Sequence, residues 1–282
     1  CRRSGAMSKV ALVTGANQGL GLAIVQLLCQ RLPPASTVYL GARSAERGGA
    51  AVKELAAQGF QSELMVVDVS SDESVLACAT AIASKHGGID FVVSNAAARM
   101  GDQNTPVSEY AEDFMNTNNY GLSRMLRRFM PILKDSGHFL CVASSFGSLT
   151  KLDPKLHGLF DVSKMSVDDV DASTAKYLAS LLAGTAAEEG WPSWVNTPSK
   201  IAQVASIKIT ARDPQWQARG IRVNAVCPGL VKTDASKPFF DPAAWERAPS
   251  PLDASRPVVE LLVGGGPEHG ELMQFGKAIP WK

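Results

Sequence analysis

Three glycines in the segment 13–21 have the types and spacing that most clearly indicate chemistry in this chain. They follow a short apolar run and open a helical pattern. Glycines let the backbone turn sharply and approach a pyrophosphate, and the free N–H groups at the helix N-terminus then hold its charge. The turn therefore predicts a dinucleotide-binding site. Its predicted binding residues are Gly15, Asn17, Gln18, Gly19, Leu20 and Gly21.

The residues after the second and third predicted strands indicate which dinucleotide is bound. An acidic residue after the second strand would hold the ribose 2′-hydroxyl of NAD, whereas the arginine found there, Arg43, suits the 2′-phosphate of NADP. Arg47 lies one turn further on and adds a second charge, although both arginines also fit a solvated surface. Asp68 ends the third strand, where it either accepts a hydrogen bond from the adenine amino group or begins a helix. We predict NADP(H) as the cofactor.

The elements that must position these residues alternate between short apolar runs and longer helical patterns. The first five runs are almost continuously apolar, as in parallel strands covered on both faces. This alternation predicts an α/β fold with a doubly wound parallel sheet of the Rossmann type, which binds ligands at the strand ends. The predicted strands are 10–14, 37–41, 63–68, 91–94, 138–143, 221–227 and 271–275, and the predicted helices are 20–32, 45–58, 72–85, 109–133 and 201–212.

One interval, 149–193, breaks the alternation. Its part 162–187 has apolar residues at helical spacing, so we predict a helical insertion near the site. Because the main pattern is not repeated, a single domain is expected over 7–282, with a proline-rich substrate loop at 235–255. Residues 1–6 are basic and lack the apolar region of a signal peptide, so we interpret them as a remnant of expression.

The composition excludes several classes of partner. Hydrophobic residues make up 45% of the 282 residues and the net charge is +1, which favours neither nucleic acid nor an anionic membrane. No apolar run approaches the roughly 18–20 residues needed to cross a bilayer. Five cysteines without Cys-x-x-Cys spacing indicate reduced thiols and a cytoplasmic protein. We predict a small-molecule substrate and no metal site.

Further motifs follow the strands and surround Lys200. They lie at 67–69 (VDV), 94–97 (SNAA), 117–121 (TNNYG), 144–145 (SS), 189–193 (EGWPS) and 227–234 (CPGLVKTD). Together with the glycine-rich turn and the two arginines, they make the chain resemble the short-chain dehydrogenase/reductase family over nearly its full length. Within that family the chain is most similar to the monomeric, NADPH-dependent carbonyl reductases, which also have a long insertion before the lysine.

The resemblance implies roles for individual residues. Asn118 would hold a water in a proton relay, Ser145 would bind the substrate carbonyl, and Lys200 would bind the nicotinamide ribose. A monomer is also implied, because the insertion covers the helix face that tetrameric relatives use for pairing. The other cofactor-binding positions implied are Val69, Asn95, Ala96, Pro228, Gly229, Val231 and Thr233.

Asn196 departs from the family pattern, which has a tyrosine four residues before the lysine. In the family reaction, hydride adds to a carbonyl carbon while the tyrosine protonates the oxygen. An asparagine amide donates hydrogen bonds but has no proton to give at a useful pH, and losing a general acid typically costs about 10²–10⁴ in rate. Gln18 is a second departure, since these reductases often carry a lysine there that faces the 2′-phosphate.

Several explanations of Asn196 stay open at this point. The substrate is an iminium carbon that needs no proton, or the proton comes from Asp153, His157 or Asp161 in the insertion. Alternatively, the cofactor is retained while the pocket performs isomerisation, dehydration or cyclisation, or the chain is a catalytically silent NADPH-binding protein that acts through a partner. An engineered replacement of the tyrosine is also compatible with the sequence.

Among these explanations the leading prediction is an NADPH-dependent reductase of a bulky, largely apolar C=O or C=N group, with non-standard proton handling. Ser145 and Asn196 would orient the substrate. Trp191 and Trp194 flank Asn196 and either line an aromatic pocket or pack in the core.

Overall fold

The computed structural model describes residues 7–101 and 105–282, and an eight-stranded sheet forms its centre. The spatial strand order is β3-β2-β1-β4-β5-β6-β7-β8, in which the first seven strands are parallel and β8 is antiparallel. The interpretation of 1–6 as a remnant lies outside the described residues. The strands are β1 Val10–Val13, β2 Thr37–Ala42, β3 Glu63–Val66, β4 Ile89–Ser94, β5 Leu133–Val142, β6 Arg222–Val226, β7 Leu272–Gln274 and β8 Lys277–Ile279.

Helices cover both faces of the sheet, as in a doubly wound fold. One apolar core lies under α1, α2 and α10, and a second lies under α3, α5 and α7. These helices belong to a single domain, and the predicted Rossmann-type fold class is confirmed. The helices are α1 Gly19–Arg31, α2 Ala45–Ala57, α3 Asp72–His86, α4 Ala111–Met115, α5 Gly121–Phe129, α6 Val167–Ala183, α7 Asn196–Ala211, α8 Pro214–Ala218, α9 Pro242–Glu246 and α10 Pro251–Val263.

The strand order of the sheet reverses between β1 and β4, which are adjacent parallel strands. Chain connections from these two strands leave toward opposite sides, and a crevice opens at their carboxyl ends. Both strands are buried along their whole length, which agrees with the continuous apolar runs in the sequence. The crevice therefore lies where β1 meets the glycine-rich turn and where β4 meets Asn95.

The predicted single helix 109–133 is wrong. The chain forms α4, then a wider π-helical turn at Asn116–Tyr120, then α5, and a short 3₁₀ turn at Met130–Ile132 leads into β5. The π turn buries Asn118 and Asn119, whose side chains bind other segments. Apolar spacing could not reveal this turn, because one extra residue per turn barely changes the periodicity of so short a segment.

The sequence analysis also missed α10 and β8. Residues 251–255 of the predicted substrate loop form the first turn of α10, and α9 lies within the same loop. Four prolines in this region suggested irregular structure, but Pro251 occupies the first helical position, where a proline loses no hydrogen bond. The Ser250 hydroxyl accepts a hydrogen bond from Asp253 N at 3.2 Å and caps the helix.

The insertion contains the predicted helix, now located as α6. A capping box formed by Ser166 and Asp169 begins the helix. Polar contacts attach it to α5, because Asp171 accepts hydrogen bonds from Ser123 Oγ at 2.6 Å and from Arg127 Nη2 at 2.8 Å. Apolar residues of α6 also share a third core with α4 and α7.

Two further features concern membrane-spanning helices and the state of the cysteines. Within the described ranges, no helix is long and apolar enough to cross a membrane. The four described cysteines are free, and Cys78, Cys141 and Cys227 are buried.

Candidate active site

The glycine-rich turn joins β1 to α1 at the crevice. Gly15 and Gly19 adopt positive φ angles of 62° and 57°, a conformation that favours glycine. Gln18 precedes α1 as its N-cap, and no side chain caps the helix. The first turn of α1 also carries no acidic residue, so its N–H groups and its positive dipole end are available to an anion. The turn therefore fits a pyrophosphate, as predicted.

Asn95 and Ala96, which follow β4, hold the glycine-rich turn. The Asn95 side-chain amide donates to Thr14 O at 2.9 Å and to Gly15 O at 3.1 Å. The backbone N–H groups of Asn95 and Ala96 both donate to Thr14 Oγ1 at 3.1 Å. A Cβ on Gly21 would lie 2.5 Å from Asn95 Nδ2, which explains why that position needs glycine. Asn95 and Ala96 therefore fix the conformation of the glycine-rich turn that forms one wall of the cofactor crevice.

The predicted adenosine end of the crevice is formed by residues after β2 and β3. Arg43 and Arg47 are exposed, and neither forms an ion pair with another described residue. Asp68 accepts two hydrogen bonds at Oδ1 from Ser70, from the backbone N–H at 2.9 Å and from the hydroxyl at 2.6 Å. Asp68 thus shapes the turn before α3, and its Oδ2 stays available to a ligand. Val69 packs against Gly121 at the start of α5.

The segment after β6 closes the other side of the crevice. A Cβ on Gly19 would lie 3.5 Å from Thr233 Cγ2, so this segment reaches the glycine-rich turn. Ser236 Oγ donates to Val231 O at 2.6 Å, and the buried Trp245 indole donates to Thr233 O at 3.2 Å. These bonds fix the start of the predicted substrate loop, which follows Pro228 and Gly229 in the same segment.

Helix α7 carries the residues expected to act on substrate. It begins at Asn196, five residues earlier than predicted from the sequence. Asn196 is half-buried, and no described residue forms a hydrogen bond with its side-chain amide. Lys200 lies one turn further along the same face of the helix. The Asn196 amide is therefore free to bind a ligand.

Lys200 is buried and fixed by the protein. Its ammonium donates to Gln203 Oε1 at 2.8 Å and to Val142 O at 3.3 Å. Burial lowers the pKa of Lys200, an effect that the nearby thiols of Cys141 and Cys227 partly oppose. Gln203 in turn donates to the backbone carbonyl of Asn118 at 2.7 Å, so the structure brings Asn118 and Lys200 into one network.

Ser145 lies in a short helical turn that packs on α7. A Cβ on Gly147 in this turn would lie 2.9 Å from Lys200 O, which shows how closely the two segments approach. The neighbouring Phe146 packs edge-to-face on Trp194, with ring centroids 4.7 Å apart. Trp194 therefore lines the Ser145 side of the site, whereas Trp191 is buried in the core beside Tyr177.

Comparisons with known proteins agree with this geometry. A family model described as short chain dehydrogenase matches residues 9–180, and one described as enoyl-(acyl carrier protein) reductase matches residues 155–252. The chain is 34% identical over 280 residues to carbonyl reductase (NADPH) 1 of Mus musculus, covering 96% of this chain and 98% of that protein.

The chain belongs to the short-chain dehydrogenase family. Its identity to carbonyl reductase (NADPH) 1 of Homo sapiens is 33% over 280 residues, with 96% and 98% of the two chains covered. The fold is similar to that of salutaridine reductase from Papaver somniferum, with a TM-score of 0.77, 21% identity and coverage of 94% and 99%. The resemblance deduced from the sequence motifs is confirmed.

The three residues of the insertion considered as proton donors form hydrogen bonds within the insertion of this short-chain dehydrogenase. Asp153 caps the turn 154–160 by accepting from Lys155 N at 3.0 Å, and His157 Nε2 is bound to Leu152 O at 3.0 Å. Asp161 accepts hydrogen bonds from Ser163, which lower its pKa and make it a poorer source of protons at neutral pH. All three side chains are thus engaged in local turns of the insertion.

Sequence reasoning missed two residues that position the dehydrogenase site. Asn119 donates to Ser199 O at 2.9 Å and accepts from Ser199 Oγ at 2.7 Å, which attaches the π turn to α7. Gln203 connects Lys200 with Asn118. A polar residue three positions after Lys200 on an otherwise apolar helix was the signal that could have identified Gln203.

The close packing behind the glycine-rich turn leads to a stability prediction. Gly21→Ala is expected to destabilise the protein by about 1–3 kcal/mol, because its Cβ would lie 2.6 Å from Gly15 O. Gly49→Ala is the matched control, since its Cβ in α2 meets no atom within 4 Å, and a gain of about 0.4–1 kcal/mol is expected there. Urea unfolding measures both, and equal stability of the two variants would contradict this account.

Proposed function

We propose that this protein is an NADPH-dependent reductase that delivers hydride to a bulky, largely apolar substrate without a proton-donating tyrosine. The observation that carries the proposal is the free Asn196 amide one turn before a buried, fixed lysine. The crevice geometry supports a dinucleotide, and the relatives named as NADPH-dependent carbonyl reductases support reduction as the reaction class.

The cofactor assignment rests on charge at the adenosine end. Arg43 and Arg47 present two guanidinium groups that form no ion pair with any described residue, and such planar groups match phosphate geometry. The uncapped α1 N-terminus would hold the pyrophosphate. When bound, NADPH supplies the hydride, and Lys200 together with the segment 228–233 would hold its nicotinamide riboside.

Arg43→Ala is expected to weaken NADPH binding by about 10–100-fold, because a hydrogen bond to a charged group is worth roughly 1.5–3 kcal/mol. Binding of NADH, which lacks the 2′-phosphate, should stay almost unchanged. Lys53→Ala, which removes an exposed cation further along α2, is the control and should leave both affinities intact. Fluorescence titration measures the dissociation constants, and equal losses for NADPH and NADH would contradict the assignment.

The substrate-binding residues are proposed to orient rather than to protonate. The Ser145 hydroxyl would donate a hydrogen bond to the substrate, and the Phe146–Trp194 pair would provide an apolar wall beside it. The Asn196 amide offers both a donor and an acceptor at the position where family members carry an acid. For a carbonyl substrate the proton would then have to come from solvent.

An iminium substrate removes this requirement. Hydride addition to an iminium carbon gives a neutral amine directly, so no proton transfer accompanies the reaction. The Asn196 carbonyl oxygen can accept a hydrogen bond from an iminium N–H group. We therefore propose C=N reduction as the preferred reaction, with C=O reduction as a slower one.

Asn196→Tyr is expected to raise kcat/KM for ketones and quinones by at least about tenfold, since a general acid contributes roughly 10²–10⁴ in rate. Reduction of cyclic iminium ions should not rise, because that reaction needs no acid. Asn196→Phe is the control that adds the ring without the hydroxyl, and it should not raise ketone reduction. NADPH absorbance measures all rates, and no NADPH consumption by any of the three proteins would contradict the proposed function.

We further propose that the protein works as a cytoplasmic monomer. Helix α6 contacts α5 and α7, and it would cover the helix face that the family resemblance implies for pairing in tetrameric members. Light scattering is expected to give a mass close to 29.9 kDa at micromolar concentration. A mass twice as large would mean that another surface forms a dimer. Free, buried thiols support a reducing compartment.

A further inference from the structure

Gln203 occupies the space between two groups that matter for proton movement. Its Oε1 accepts from the Lys200 ammonium at 2.8 Å, and its Nε2 donates to the Asn118 carbonyl at 2.7 Å. Lys200, Gln203 and Asn118 are only 9%, 4% and 2% exposed, respectively. The glutamine therefore bridges Lys200 to the π turn through direct hydrogen bonds between buried atoms.

A bridge made of an amide differs from one made of water. A water or a hydroxyl can accept one proton while it releases another, whereas a side-chain amide neither gains nor gives a proton at a useful pH. Both ends of the Gln203 amide are occupied, and a second Lys200 N–H donates to Val142 O. The lysine is thus held in place, and its connection to Asn118 carries no protons.

The other titratable groups near Lys200 do not provide an alternative route for protons. Cys141 on β5 and Cys227 after β6 are the groups that interact electrostatically with the ammonium. Burial raises the pKa of the Cys141 thiol to about 11, so it holds its proton at neutral pH. Cys227 is also buried, and its sulfur accepts a hydrogen bond from Gln274 Nε2 at 3.2 Å.

We propose that Gln203 is a positioning residue that fixes Lys200 and excludes water between Lys200 and Asn118, so that no proton reaches the reacting atoms by this route. The proposal rests on the proposed reductase function and extends it to a third residue of the same helix. Asn196, Lys200 and Gln203 lie at positions i, i+4 and i+7 on one face of α7. Asn196 cannot donate a proton to the substrate. Gln203 blocks the route by which a proton donor at that position would be reprotonated.

The first test examines the bridge without any turnover. In the ¹⁵N-labelled protein, the Gln203 side-chain amide is identified as the resonance that disappears in Gln203→Met. Its exchange with water is expected to be about 100-fold slower than that of the exposed Gln58, because exchange requires local opening. Exchange as fast as that of Gln58 would overturn the proposal, since water would then reach the amide.

The second test uses variants that differ in whether they leave room for water. In the Asn196→Tyr background, Gln203→Ala creates space between Lys200 and Asn118, whereas Gln203→Met fills the same space without hydrogen bonds. We expect Ala to raise kcat for ketones by a further factor of about ten, a small part of the roughly 10²–10⁴ that general-acid catalysis contributes, while Met gives no rise. A purely structural glutamine would make both variants slower, and that result would overturn the proposal.

The two tests separate this inference from the function on which it rests. Absence of NADPH consumption in every variant would contradict the reductase function, while the exchange rate of the Gln203 amide would still decide whether the bridge exists. A protected amide combined with equal ketone rates for the Ala and Met variants would show that Gln203 fixes Lys200 without controlling protons. That outcome would overturn the proton-exclusion part of the proposal.

Discussion

The buried contact between the π turn Asn116–Tyr120 and helix α7 is the constraint on which the site depends. Asn119 and Ser199 exchange two hydrogen bonds there, and Gln203 joins the Asn118 carbonyl to Lys200. Leaving any one of these buried groups unpaired would cost about 1–3 kcal/mol. The helix that presents Asn196 and Lys200 is therefore fixed relative to the crevice, and the Ser145 turn packs against the same helix.

A buried ammonium surrounded by neutral groups gives the site its electrostatic character. Lys200 is held by a backbone carbonyl and an amide, and its titratable neighbours are thiols rather than carboxylates. Asp153 and Asp161 of the insertion accept hydrogen bonds within their own turns. These surroundings of Lys200 support the proposal that hydride moves without a proton donated by the enzyme.

Sequence patterns predicted the architecture well where the signal was local. The parallel strands, the glycine-rich turn and the helix within the insertion were all predictable, because apolar runs, glycine spacing and caps act over a few neighbouring residues. The prediction failed for the helix 109–133, where a single π turn interrupts the periodicity, and for α10, whose prolines obscure a helix that α1 stabilises from outside.

The sequence by itself predicted a ligand site at the carboxyl ends of parallel strands, and it placed Asn196 where the family motif has a tyrosine. Only the tertiary structure decided what surrounds that position. It showed that none of the described residues forms a hydrogen bond with the Asn196 amide and that Gln203 connects Lys200 with Asn118, residues far apart in the chain. The reason is physical: hydrogen bonds between distant segments depend on how helices and turns pack together, and no local pattern of residues records that packing.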